Sequence, residues 1–243
     1  MMRRLLTIIL AAICLTVAAR STYETTALKA ARFFEAREWA SAQALYGLML
    51  DERPDADSIY VNAIVASGML GDSIASSHFL SGAMAAGLSF DRLMGGIRAV
   101  SFEVGAPAVY EAFLLRSQRD CPWLSRAIDS ELLDYYLFRD NGPQSIVYAR
   151  KLLSGLPDSR LYLGKLAEGY VLAADYDSAV SLWQEMLTLD PDDYDTLIDI
   201  GNYMAITGEK DKAADYLRHA YSLHPTPYVG ALLASLATER KNK

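Results

Sequence analysis

The chain has 243 residues, 52% hydrophobic and 22% charged, with a formal net charge of −7 and a pI near 5.0. This describes one or two globular domains with cores of ordinary size, and 15 Gly and 8 Pro are too few for a fibrous or disordered chain. An acidic chain without a Lys/Arg block lacks the basic surface that displaces counterions from phosphates, which excludes nucleic acid as the expected partner.

Residues 1–19 read as a signal peptide. Arg3 and Arg4 form a short basic region, and residues 5–17 are an apolar run broken only by two Thr. Val17-Ala18-Ala19 then sets small or slight side chains before a cut at Arg20. The apolar stretch falls short of the ~20 residues that span a bilayer, which favours cleavage over the alternative, an uncleaved N-terminal membrane anchor. Cys14 follows Ile13, where a lipobox has a small residue, so lipidation is not expected. The expected location is the periplasm or cell envelope. Cleavage removes Arg3 and Arg4 and deepens the net charge from −7 to −9. Cys121 is then the one mature cysteine, so it has no internal disulfide partner, and no His cluster accompanies it for a metal.

From Tyr23 the chain falls into segments of one layout: an apolar face at helical spacing, a break, a second apolar face, then a proline. The first has Ala30, Phe33, Trp39, Ala42 and Tyr46, ending at Pro54. The second starts at Asp57, with Tyr60, Ala63, a Gly71-Asp72 break and Leu80, and Ser89 where the proline would stand. The third starts at Asp91, with Met94, Ile97, Gly105, Leu114 and Pro122. The fourth starts at Arg126, after one inserted residue, with Leu132, Tyr136, Asn141-Gly142, Ala149, Leu153 and Pro157; Asp129 takes an aromatic position.

The fifth, from Arg160, aligns Leu163, Leu166, Ala167 and Tyr170, breaks at Ala173-Ala174-Asp175-Tyr176, and resumes with Ala179, Trp183, Met186 and Leu187 before Asp190-Pro191. The sixth, from Tyr194, has Leu197, Ile200, Gly201 and Met204, then Gly208-Glu209, then Ala213, Leu217, Ala220 and Tyr221 before Pro225. A last helix over 228–239 follows, with Thr226 as its N-cap and Pro227 in its first turn. The prolines share one lattice. Pro191 and Pro225 are 34 residues apart, Pro157 is 34 before Pro191, Pro122 is 35 before Pro157, and Pro54 lies 68 further back.

This pattern resembles the tetratricopeptide repeat, W-x2-L-G-x2-Y…A-x3-F…P. Leu163, Leu166, Ala167, Tyr170, Ala179, Trp183 and Pro191 fill those positions in the fifth segment, and Leu197, Ile200, Gly201, Met204, Ala213, Leu217 and Pro225 fill them in the sixth. The resemblance implies an all-α, right-handed superhelical solenoid over 20–243. It would have about six helical hairpins, starting near 23, 57, 91, 126, 160 and 194, and a capping helix at 228–239. It further implies a non-catalytic protein–protein interaction module, an adaptor or scaffold that takes a peptide or helix in a concave groove. The alternative is a structural subunit of an envelope or outer-membrane assembly.

In the family the groove is lined by the second, fifth, sixth, ninth, twelfth and thirteenth residues of each first helix. Carried onto this chain, the lining includes Phe34, Asn62, Phe102, Glu131, Asp134, Phe138, Glu168, Asp195, Asp199 and Asn202. Phe34, Phe102 and Phe138 are either anchors for a partner or packing between hairpins. The acids imply a basic or apolar partner segment. Ala27, Ala31 and Arg92 stand where chaperone-binding members clamp a terminal carboxylate, so a carboxylate-clamp partner is not expected.

Cofactor, metal and catalytic constellations are absent from the sequence. His78, His219 and His224 have no Cys, Ser or carboxylate partner at a recognised spacing, and there is no HExxH, phosphate-binding Gly loop or CxxC. Asp192-Asp193 stands at a helix start, where capping accounts for it. An enzyme is not expected; a protein or peptide partner is, and peripheral membrane association remains compatible with the chain.

Overall fold

The computed structural model describes residues 22–241, so residues 1–19, which read as a signal peptide in the sequence, lie outside the described residues. Within them the chain is helical throughout: α1 (22–35), α2 (Trp39–Glu52), α3 (Asp57–Leu70), α4 (Ser73–Ala85), α5 (Phe90–Glu103) and α6 (Pro107–Asp120). A 3-10 turn (Pro122–Leu124) leads to α7 (Ser125–Phe138), α8 (Gly142–Leu153), α9 (Arg160–Leu172), α10 (Tyr176–Leu189), α11 (Tyr194–Ile206), α12 (Lys210–Leu223) and α13 (Pro227–Lys241). These are six hairpins and a terminal helix, an all-α solenoid architecture. None of the described helices is long and apolar enough to cross a membrane.

The backbone itself repeats. Between the two helices of each hairpin one residue turns left-handed: Arg37 (φ 61°), Gly71 (69°), Gly105 (74°), Asp140 (52°), Ala174 (56°) and Gly208 (90°). Their spacing is 34 throughout, apart from 35 between Gly105 and Asp140, the step that contains the inserted residue. Each is followed by the N-cap of the second helix. At Asp72, Asn141 and Asp175 the cap side chain accepts a hydrogen bond from the N–H of Ala75, Gln144 or Ser178, at 3.0, 3.3 and 3.3 Å. This satisfies one amide that the helix leaves unpaired.

The hairpins gather into two compact units, residues 22–124 and 125–241. The division falls at the inserted residue. In the first unit α3 is central, packed on α2, α4, α5 and α6, with Ala63, Ile64, Val65 and Ala66 almost wholly buried. A Cβ on Gly96 would lie 2.8 Å from Val61 Cγ2, so α3 and α5 meet at a point where only glycine fits. Gly95 beside it faces open space. Gly96 therefore serves the close approach of the chain's own α3, and Gly95 has no such role. Cys121, at the C-terminal end of α6, is buried; desolvation pushes its thiol above the usual range, and the charge of Asp120 adds to this.

In the second unit Ile128, Leu132 and Leu133 of α7, Leu197 and Ile200 of α11 and Leu217 of α12 form the fully buried core. Burial of each such side chain contributes about 1.5–3 kcal/mol relative to exposure. Gly201 admits Leu217, whose Cγ would stand 2.8 Å from an added Cβ. Asp129, the acid in an aromatic position, is 4% exposed and held by Lys151 Nζ of α8 at 2.7 Å, so an ion pair replaces the ring. Thr226 caps α13: its hydroxyl oxygen accepts from the N–H of Val229 at 3.4 Å and its carbonyl from that of Gly230 at 3.1 Å. Val229 and Leu236 then bury the apolar face of α13, which packs on α12.

Candidate protein-binding groove

Each unit has a concavity of its own. In the first, a hollow of about 400 Å³ is bordered by Phe34, Trp39, Tyr46, Asn62 and Glu103. Phe34 meets Trp39 edge-on with ring centroids 5.1 Å apart and lies 6.1 Å from Tyr46, whose hydroxyl accepts from Asn62 Nδ2 at 3.4 Å. These groups hold one another in place.

The second unit has a groove of about 960 Å³. The first helices pack directly at α3 on α5 and at α7 on α9, whereas α9 and α11 each pack on α10 and together line the groove. Its walls are Leu161 and Val171 of α9 and Tyr203 and Ile206 of α11; Tyr176, Trp183 and Met186 of α10 form the floor. Tyr176 stacks on Tyr203 at 5.4 Å, with Trp183 at 6.1 Å from the same ring. Ile206 is 86% exposed and Leu161 61%, so both wall residues present apolar surface to water.

The charges are unevenly satisfied. Arg160 is held by Asp190 at 2.7 Å and Asp193 at 2.5 Å, and Lys165 is held by Asp134. Among the described residues Glu168, Asp195 and Asp199 have neither an ion pair nor a hydrogen bond through their carboxylates. Burial against the groove wall, followed by repulsion from Asp195, Glu168 and Asp193, raises the carboxyl of Asp199 to about 6. Asn202 Nδ2 donates to the hydroxyl of Tyr228 at 3.3 Å. Among the described residues no group of three or more His, Cys, Asp or Glu is placed to hold a metal ion.

No family model matches the sequence, and neither does any curated protein. Solved structures do match. The apo form of RapI superposes with a TM-score of 0.52 at 10% identity, over 90% of this chain and 72% of that one. A chain of the Naa15/Naa10 structure bound to HypK-THB gives 0.50 at 12% identity, over 90% of this chain and 35% of that one. A tetratricopeptide repeat protein from Parabacteroides merdae gives 0.40 at 14% identity, over 88% and 98%. The chain thus spans about a third of the Naa15/Naa10 chain that it resembles. Helical hairpins recurring every 34 residues, each turned at the same left-handed residue, give the fold its name. This is a tetratricopeptide-repeat (TPR) fold.

In TPR terms the groove lies between the first helices of repeats five and six. Four of the expected lining residues, Glu168, Asp195, Asp199 and Asn202, meet there. Phe34 and Asn62 meet in the hollow of repeats one and two. The other four line neither concavity. Phe102 is half-buried on α5, Glu131 half-buried on α7, Asp134 is spent on Lys165, and Phe138 ends α7 at 68% exposure. Leu161 and Ile206 occupy the second and thirteenth TPR positions, so the repeat register contained them. Trp183 and Met186 carry ordinary second-helix packing signals, and nothing in the sequence marks them as a groove floor. His219 Nε2 lies 2.8 Å from Asp192 Oδ1, a carboxylate partner 27 residues away that motif spacing does not reveal.

Proposed function

We propose that this protein is an exported TPR adaptor that binds a segment of a partner protein in the groove between α9 and α11. The observation that carries the reading is the concavity itself. About 960 Å³ of space is bordered by Leu161 and Ile206, both of which the fold leaves in water. Concave, mostly apolar surfaces with a few polar groups are the usual form of a binding site. The groove's lining comes from three helices, α9, α10 and α11, which suits the extended or helical segments that stacked hairpins bind. Export rests on the basic, apolar and small-residue order of residues 1–19.

Photo-crosslinking in the native envelope tests the proposal. A benzoyl-phenylalanine at Val171, in the groove, should trap a defined partner. The same group at Ile74, on the exposed face of α4, should not, and Ile206→Asp should abolish the Val171 product. Equal trapping from both positions, or a product indifferent to Ile206→Asp, would remove the groove from the function. Recovery of a mature chain that begins at Arg20 from the envelope fraction would support export, and an intact N-terminus in the cytoplasm would oppose it.

A further inference from the structure

We infer that the segment bound in this groove is cationic and apolar, with one Lys or Arg side chain among Glu168, Asp195 and Asp199 and an apolar neighbour against Tyr203 and Ile206. The inference rests on the groove being a binding surface and adds the chemistry of its occupant.

The charge balance of the groove supplies the first argument. Its two cations are already committed, Arg160 to Asp190 and Asp193 and Lys165 to Asp134. Three carboxylates remain without a counter-ion in a concavity whose walls are largely apolar. Low-polarity walls strengthen the mutual repulsion of such charges and focus their field into the groove. Asp199 registers that field: burial and its acidic neighbours raise its carboxyl to about 6. The free protein therefore holds an electrostatic strain that a positive guest relieves, and an acidic segment or a C-terminal carboxylate would increase it.

Geometry supplies the second argument. The three carboxylates are not placed to ligate a single metal ion. They are spread along α9 and α11, within reach of a long ammonium or guanidinium side chain entering from a partner backbone. Directly beside them the stacked pair Tyr176 and Tyr203 offers aromatic faces, and a guanidinium or an apolar side chain packs well on such faces. Ile206, at 86% exposure, provides the apolar contact next to the acids. A purely cationic guest would leave that surface wet, and a purely apolar guest would bury three unpaired carboxylates. A segment with both characters satisfies the whole groove.

The carboxyl of Asp199 makes capture depend on pH. The groups lining the groove around it are Lys165 and Glu168 from α9, Tyr176 from α10, and Asp195 and Tyr203 from α11. Asp193 stands at the N-cap of α11, Arg160 at the start of α9, and α12 adds no lining group. Protonation of Asp199 below about pH 6 removes one of the three attracting charges.

Acetylated, amidated peptides alternating Lys with Leu, Ser with Leu, and Glu with Leu serve as probes for fluorescence anisotropy with the mature full-length chain. The Lys/Leu peptide should bind more tightly than the Ser/Leu peptide, and the Glu/Leu peptide least. Asp195→Asn with Asp199→Asn should weaken the Lys/Leu peptide about tenfold or more. Asp177→Asn with Glu185→Gln, the same charge change on exposed α10 positions outside the groove, should leave it unaltered. Affinity at pH 5 should fall below that at pH 7 in the native chain only. Circular dichroism confirms that each variant is folded. If Ile206→Asp weakens every peptide while the groove carboxamides change nothing, the groove binds but the cation inference fails. An equal loss from the α10 control pair reduces the effect to bulk charge and also overturns it. If no variant alters any peptide, the groove reading itself fails.

Discussion

Asp199 shows how a single residue acquires character from its neighbours. Its folded-state carboxyl near 6 stands above the ordinary carboxylate value, so the folded chain binds a proton there more tightly than the unfolded chain does. The charged form is a cost at neutral pH, and that cost is relieved as pH falls from about 6 to the ordinary carboxylate value of about 4. Asp199→Asn should therefore raise Tm at pH 7 by about 1–2 °C, a modest gain because the group is partly in water. The gain should shrink as pH falls below about 6 and be nearly gone by about pH 4, where the unfolded chain takes up the proton as well; a gain undiminished at pH 4 would show that the Asp199 charge was not its source. Calorimetry at the two pH values reads this. The repeat register placed Asp199 on the lining, and that much was legible in the sequence. Its environment was not, because Glu168 lies on a different helix and the wall that desolvates the carboxyl is built from both.

At the scale of the hairpin, the left-handed turn is the element that repeats most faithfully. Glycine occupies it in three repeats, while Arg37, Asp140 and Ala174 hold it in the others with φ of 61°, 52° and 56°. A residue with a Cβ pays roughly 1–2 kcal/mol for that region, partly offset by the greater chain entropy that glycine loses on folding. Ala174→Gly should stabilise the protein by about 0.5–1 kcal/mol, and Gly208→Ala should destabilise it by about 1 kcal/mol. Urea titrations followed by circular dichroism measure both. The opposite sign at either position would show that the turn can relax out of the left-handed region. Gly71, Gly105 and Gly208 announce the turn in the sequence. Arg37, Asp140 and Ala174 carry no such signal, and only the proline lattice locates them. Asp129 shows the converse: the sequence flagged it as out of place, and its partner Lys151, 22 residues on, is what makes it fit.

For the whole molecule, the sequence reading foresaw a single run of repeats over 20–243, and the structure divides the described chain into two compact units at the inserted residue. That residue was visible as an irregular step of 35, but repeat statistics give no measure of how contacts distribute on either side of it. Each unit buries its own core, so residues 125–241 expressed alone should remain helical and bind the Lys/Leu peptide as the full chain does. Loss of helicity in that fragment, read by circular dichroism, would show that its core depends on residues 22–124.

The three unpaired carboxylates have a colloidal consequence as well. A trough with Ile206 and Leu161 open to water is the kind of surface through which copies of a protein stick together. Here any second molecule brings an acidic surface of its own, and its approach is opposed by Glu168, Asp195 and Asp199. The acids would keep the trough vacant in a crowded compartment until a chain of opposite charge arrives. Asp195→Asn with Asp199→Asn should accordingly turn a monodisperse sample into one that self-associates as concentration rises, which sedimentation velocity would reveal.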